Sequence, residues 1–249
     1  MHVDADHHRS VLTIIGEPQA LVDSVIDLAQ RAVDRLDLRV HEGVHPRLGV
    51  VDVVPFVPLG SASMEDAVLL RDEAARRLAT TCDLPSFLYG PLGGATRSLP
   101  EVRRKAPRYE IVPDFGPLIP GPVRGAAAVG ARPIMVAWNL WLSGATLNRA
   151  QEIAAAIRGP HLRAMGFEVS GAVQVSCNLL APLEVTCADV ADQVAGLLAP
   201  GETILRAELV GLAPQAMLAK IDPGRFDELD LSEDRTIEAA ATTLGLVIA

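Results

Sequence analysis

Apolar residues recur along this chain in two rhythms, one of period two and one of period three to four. Residues 10–15 are a short β-branched run ended by Gly16, which predicts a strand. Pro18 suits the first turn of a helix. Leu21, Val25, Leu28, Ala32 and Leu36 then recur at the spacing of one helical face, with Asp23, Asp27 and Arg31 elsewhere around it. Residues 50–54, an apolar run around Asp52, predict a buried strand, and residues 64–81 an amphipathic helix with Leu69, Leu70, Ala74 and Leu78 inward. A short strand is expected over 84–90 and a helix start after Ser98. Pro and Gly dominate 113–125, which predicts a loop. The second half starts near Pro133. It predicts strands over 134–140 and 173–180 and helices over 146–157, 186–198 and 236–246, with Ala150, Ile153, Ala154 and Ile157 inward on the first of these. Strands and helices alternate with short linkers in both halves, so the expected class is α/β (α+β), helices packed on sheets.

Composition narrows the function classes. The chain has 249 residues, 49% of them apolar, enough for one large domain or two small ones with real cores. A formal charge of -9 argues against general nucleic-acid or anionic-membrane binding, so an anionic ligand needs a local basic pocket. Cys82, Cys177 and Cys187 are odd in number and scattered, which points to a reducing cytoplasm without a disulfide framework. The opening Met1-His2-Val3-Asp4-Ala5-Asp6 does not read as a signal peptide, and no run is long and apolar enough to span a bilayer.

The chemistry concentrates between His41 and Pro58. Two histidines, Arg47 and Asp52 sit close together, with Gly43 and Pro46 beside the histidines. Gly supplies unusual backbone angles, and Pro disfavours helix in the residue before it, so this is a shaped loop leading into a strand. An imidazole that titrates near neutrality can take and then return a proton in a group transfer. A loop histidine bonded to backbone is the competing reading of His45. A zinc pair of His41 and His45 would share a face only in a helix, which Gly43 and Pro46 argue against.

The pattern His-x-Gly-x-His-Pro-Arg-x-Gly-x-x-Asp-Val-x-Pro-Phe-x-Pro over 41–58 resembles the signature of glutamate formiminotransferases. The resemblance implies transfer of a formimino group between N-formimino-L-glutamate and tetrahydrofolate in histidine breakdown, with tetrahydrofolate as co-substrate and no metal. By matching position it implies that His45 is catalytic, with His41 and Arg47 beside it. Asp4-Ala5-Asp6-His7-His8-Arg9-Ser10 resembles the family's Asp-x-Asp-His-Asn-Arg-Ser segment and implies that Asp4, Asp6 and Arg9 line the site. Arg9 is suited to a bidentate grip on a carboxylate. "Pro-Asp-Phe-Gly-Pro" at 113–117 and "Val-Gly-Ala-Arg", ending at Arg132, also resemble the family, and Arg132 is a further carboxylate holder. Between them Gly116-Pro117-Leu118-Ile119-Pro120-Gly121-Pro122-Val123-Arg124-Gly125 corresponds to the loop that contacts folate in the family. Its exposed backbone and small side chains let a flat pterin approach, although such composition also fits an interdomain linker. "Pro-x-x-Leu-Tyr-Gly" at 85–90, "Gln-Val-Ser-x-Asn-Leu" at 174–179 and "Glu-x-Val-Gly-Leu-x-Pro" at 208–214 extend the likeness over nearly the whole chain. The family's architecture implies two α/β sandwich subdomains, 1–130 and 131–249, forming a folate tunnel between them, in a homodimer.

Departures set the alternatives. The family carries a strand and a helix before the equivalent of Val3. Val44 stands where the family often has Glu, and Trp141 where it repeats Asn, so a polar contact is expected to be lost there. These motivate a second reading, a non-catalytic or substrate-shifted folate-binding relative. A third, a manganese-dependent phosphoesterase, rests on the three letters Asp6-His7-His8 alone. The basic cluster Arg97, Arg103, Arg104, Lys105 and Arg108 reads as a solvated face, with attraction of a folate polyglutamate tail as its alternative.

Overall fold

A computed structural model describes residues 1–4, 8–43 and 47–246. The elements in chain order are β1 (His2–Asp4), β2 (Arg9–Val11), α1 (Pro18–Arg35), β3 (Val53–Phe56), α2 (Met64–Thr81), β4 (Ser86–Leu92), β5 (Ala95–Arg97) and α3 (Leu99–Lys105). There follow β6 (Ala127–Ala131), β7 (Val136–Ser143), α4 (Leu147–Ile157), β8 (Leu162–Val169), β9 (Ala172–Leu179), α5 (Cys187–Ala195), β10 (Thr203–Val210), α6 (Gln215–Leu218) and α7 (Ile237–Thr243). Helices packed on sheets make this the expected α/β class. The chain divides into two units, one of residues 14–133 and one of residues 1–13 with 134–248. The opening segment, expected in the first half, thus belongs with the second.

In the 14–133 unit the sheet order is β3-β6-β4-β5. β3, β6 and β4 run parallel, and β5 folds back on β4 as a hairpin. One face packs Leu88, Ala127, Val129 and Ala131 against α1 and α2. The other packs Phe87, Tyr89 and Ala128 against Val102 of α3. The strand expected over 50–54 begins instead at Val53, because the Asp52 carboxylate turns the preceding backbone by accepting the Leu48 N–H at 2.7 Å. It is also an edge strand, half-buried rather than buried, which is where Pro55 is tolerated.

α1 starts with Pro18 in its first turn, but the face it buries is one residue on from the expected one. Val22, Ile26, Ala29 and Val33 are buried, while Leu28 and Leu36 are exposed. Both stripes are apolar, and the β-branched and alanine stripe gives the closer fit beside α2. α2 has the expected bounds and a capping box at Ser63 and Asp66. Leu69 is exposed, and the buried face includes Arg71, only 2% exposed. Its guanidinium reaches the carbonyls of Tyr89, at 3.2 Å, and Pro91, tying α2 to the end of β4.

In the other unit β10-β7-β9-β8 form an antiparallel sheet. One face buries Trp138, Leu140, Val175 and Leu179 under α4 and α5. The four α4 residues expected inward are the four buried. Trp138 donates its indole N–H to the Leu229 carbonyl at 2.8 Å. β8 and β10 extend the sheet beyond the strands expected from periodicity. The three cysteines are all buried and free, and burial pushes the Cys177 thiol up to about 12.

Candidate active site

The loop that leads into β3 is fastened to the Pro/Gly loop on both sides of residues 44–46. Upstream, the Leu38 N–H donates to the Val123 carbonyl at 2.8 Å. Downstream, the Val50 N–H donates to the Arg124 carbonyl at 3.0 Å and the Ala126 N–H to the Leu48 carbonyl at 3.0 Å. Gly49 and Gly125 face each other in this bridge. Gly125 has φ +69°, and a Cβ there would lie 2.2 Å from the Leu48 carbonyl oxygen. Only glycine combines that angle with that approach. His41 closes a single turn over Leu38–Val40, and Arg47 donates to the Gly43 carbonyl at 2.5 Å. His45, with Val44 and Pro46, lies outside the described residues, as does Asp6.

Asp52 anchors the base of the loop. Besides the Leu48 N–H, its carboxylate takes the Arg103 guanidinium at 2.5 Å, with both side chains about a quarter exposed. Arg103 therefore belongs to the site's framework. The solvated-face reading also fails at Arg97, which binds Asp114 at 2.7 Å and the Leu88 carbonyl at 3.2 Å. It holds for Arg108, which is well exposed and 3.8 Å from Glu110.

An open cleft of about 420 Å³ lies against the Pro/Gly loop, within the size range of small-molecule sites. Pro117, Ile119, Gly121, Pro122, Val123, Arg124 and Gly125 line it together with Asp83 and Pro85. Leu118 and Ile119 are strongly exposed for apolar residues. Arg124 is held by the Cys82 carbonyl at 3.2 Å.

Arg132 is not part of this cluster. β6 separates it from Gly125, because the glycine loop enters one end of the strand and Arg132 leaves the other. There the guanidinium lies beside the Tyr89 hydroxyl and donates to the Pro133 carbonyl at 2.9 Å. The Tyr89 ring lies over Gly130, where a Cβ would fall 2.0 Å from a ring atom. Burial pulls the Arg132 pKa down and pushes that of Tyr89 up, and each group partly offsets the other's shift. Tyr89 is a residue that sequence reasoning did not single out, and Arg103 was read there only as part of a basic surface cluster. Tyr89 stood inside a quoted motif, whereas the partner of Arg103 lies far along the chain and leaves no local signal.

Asp4 and Arg9 face each other in register on β1 and β2, in the unit with residues 134–248. In that same unit Trp141 does not lose a polar contact. Its indole N–H donates to Glu208 at 3.0 Å, beside the Asn139 amide at 3.2 Å. Among the described residues no three His, Cys, Asp or Glu side chains come together as a metal site, and no helix is long and apolar enough to cross a membrane.

The family model described as "Formiminotransferase domain, N-terminal subdomain" matches residues 1–132. The formimidoyltransferase-cyclodeaminase of Gallus gallus is 32% identical over 274 aligned positions, covering 97% of this chain and 50% of that protein. The glutamate formimidoyltransferase of Streptococcus pyogenes serotype M1 is 31% identical, covering 88% of this chain and 79% of its own length. That of Thermoplasma acidophilum is 30% identical, covering 97% and 87%. The chain spans about half the length of the cyclodeaminase-named animal relatives it matches.

Proposed function

The chain belongs to the formiminotransferase family, and from that premise we propose that it transfers a formimino group between N-formimino-L-glutamate and tetrahydrofolate. The observation that carries the reading is the fastening of the 38–50 segment to the 121–126 loop on both sides of His45. It holds Leu38, Leu48 and Val50, which flank His45 in the chain, against the loop that would receive the folate. In the proposed step an amine of tetrahydrofolate attacks the amidine carbon of the donor. His45 takes the proton of the attacking nitrogen and returns it to the glutamate nitrogen as that bond breaks. One histidine can serve both transfers because an imidazole ordinarily titrates near neutral pH.

Arg132 is the arginine we assign to a substrate carboxylate. Among the described residues it donates to a backbone carbonyl and to no carboxylate, and a desolvated guanidinium favours an anionic partner. The cleft at Pro117 to Gly125 takes the folate. The reading needs no metal, and it extends to a cytoplasmic homodimer. Mixing the protein with both substrates and following the folate product tests it. Product that forms only when both substrates are present is expected, and folate binding without product would favour the non-catalytic relative.

A further inference from the structure

The antiparallel sheet β10-β7-β9-β8 has one apolar face and one that is not. Val173, Val175, Cys177 and Leu179 of β9 join the core with Trp138, Leu140 and Leu142 of β7. A period of two therefore turns Asn139, Trp141, Gln174 and Ser176 to the opposite face. A face that only packed against a structural layer would be apolar, like its reverse. This one carries an indole, two amides and the Glu208 carboxylate.

Most of these groups are satisfied by one another. Glu208 accepts from Trp141 and Asn139, and its second oxygen lies 3.5 Å from His2 Nε2. The Arg206 guanidinium sits over the Trp141 ring, 4.3 Å from its centroid. Gln174 is the exception. It pairs in register with Trp141 on one side and Phe167 on the other, and it is 0% exposed. Neither its Oε1 nor its Nε2 has a hydrogen-bond partner among the described residues. A buried amide with both ends unmade opposes folding, and replacing it by an apolar side chain of similar shape would relieve that.

We propose that Gln174 is the recognition residue of a ligand subsite on this sheet face, taking a planar group that presents a hydrogen-bond donor beside an acceptor. A carboxamide offers one acceptor and one pair of donors side by side, so it matches a lactam or amidine edge through two parallel bonds. It does not match a carboxylate, which has only acceptors and leaves the amide oxygen without a complementary partner. The inference rests on the proposed substrates, both of which carry such an edge. In tetrahydrofolate it is the pterin, and in formiminoglutamate it is the formimino group.

The test is calorimetric binding of each substrate alone to the full chain, for wild type, Gln174→Met and Gln174→Asn, with a melting curve for each. Gln174→Met is expected to melt no lower than wild type while its Kd for one substrate rises tenfold or more. The substrate whose affinity falls identifies the edge that is read. Should Gln174→Met not fold, Gln174→Asn decides by the same affinities, since it keeps the amide one methylene short. Unchanged affinity for both substrates in a folded variant overturns the subsite. Normal transfer by that variant at unchanged KM does the same and leaves the transferase reading standing. A wild type that transfers nothing, yet binds a substrate more weakly after Gln174→Met, overturns the transferase reading and leaves the subsite. Failure of wild type to bind either substrate overturns both.

Discussion

The two units use their polar side chains in opposite ways. In the 14–133 unit, Asp52, Arg103, Arg97 and Arg71 bond to backbone or to one another and so build loops and strand ends. In the unit with 134–248, helix caps and the indole of Trp138 serve the fold, while one sheet face keeps an amide buried and unpartnered. The first unit thus spends its polar groups on holding a backbone shape, and the second keeps a recognition group in reserve. The comparison teaches where a mutation should damage chemistry through geometry and where through contact.

The largest effect is expected at the bridge between the two loops. Gly125→Ala places a side chain at φ +69° and against the Leu48 carbonyl. A loss of about 3 kcal/mol in urea unfolding, with transfer falling further than stability accounts for, is expected. A variant within about 0.5 kcal/mol of wild type would break the argument that this bridge shapes the loop.

Asp52→Ala comes next. It leaves the Leu48 N–H without its acceptor and removes the carboxylate from Arg103, at a cost of about 1–2 kcal/mol after allowance for a quarter-exposed ion pair. Transfer should drop at least tenfold, because the base of the His45 loop is released. Thr186→Ala in the other unit sharpens the contrast. It removes the capping box of α5 and should cost about 1 kcal/mol. At a temperature where the variant is still folded, its kcat should be that of wild type. Equal activity losses for Asp52→Ala and Thr186→Ala would dissolve the distinction between the units.

The smallest effect concerns acid. The Arg39 guanidinium, with its backbone N–H, holds Asp37 down at about 2. Arg77 lowers Asp23, and the Ser63 cap lowers Asp66. A carboxylate whose pKa is depressed on folding stabilises above its unfolded value near 4, and that stability is lost as pH falls toward the folded value. All three lie in the 14–133 unit, so its melting temperature should decline gently between about pH 4 and pH 2. Asp37→Asn should flatten part of that slope, and an unchanged slope would remove Asp37 from the explanation.

Much of the regular structure was legible. α4 followed its periodicity residue by residue, and α2 did so in its bounds, because a cap and an apolar stripe are local signals. α1 shows the limit of periodicity. Two adjacent stripes were both apolar, and only packing chooses between Leu21-Val25-Leu28 and Val22-Ile26-Ala29. β3 began late because a carboxylate, not hydrophobicity, sets its start. Of the candidate site, the glycine loop and Arg47 were named from motif and composition, and the structure sets the loop along the cleft and Arg47 on the Gly43 carbonyl. The Arg103–Asp52 pair and the Arg132–Tyr89 pair could not be named that way, since each joins residues far apart in the chain. Gln174 stood in a quoted motif, but that its amide is left unpartnered is a property of the folded sheet.

The most direct measurement of the central claim is single-turnover formimino transfer by wild type and His45→Ala, with tetrahydrofolate affinity measured in parallel. A rate about 10²–10⁴-fold lower in the variant, at unchanged tetrahydrofolate Kd, is predicted for a histidine that moves the proton without holding the folate. Transfer at the wild-type rate by His45→Ala would contradict it.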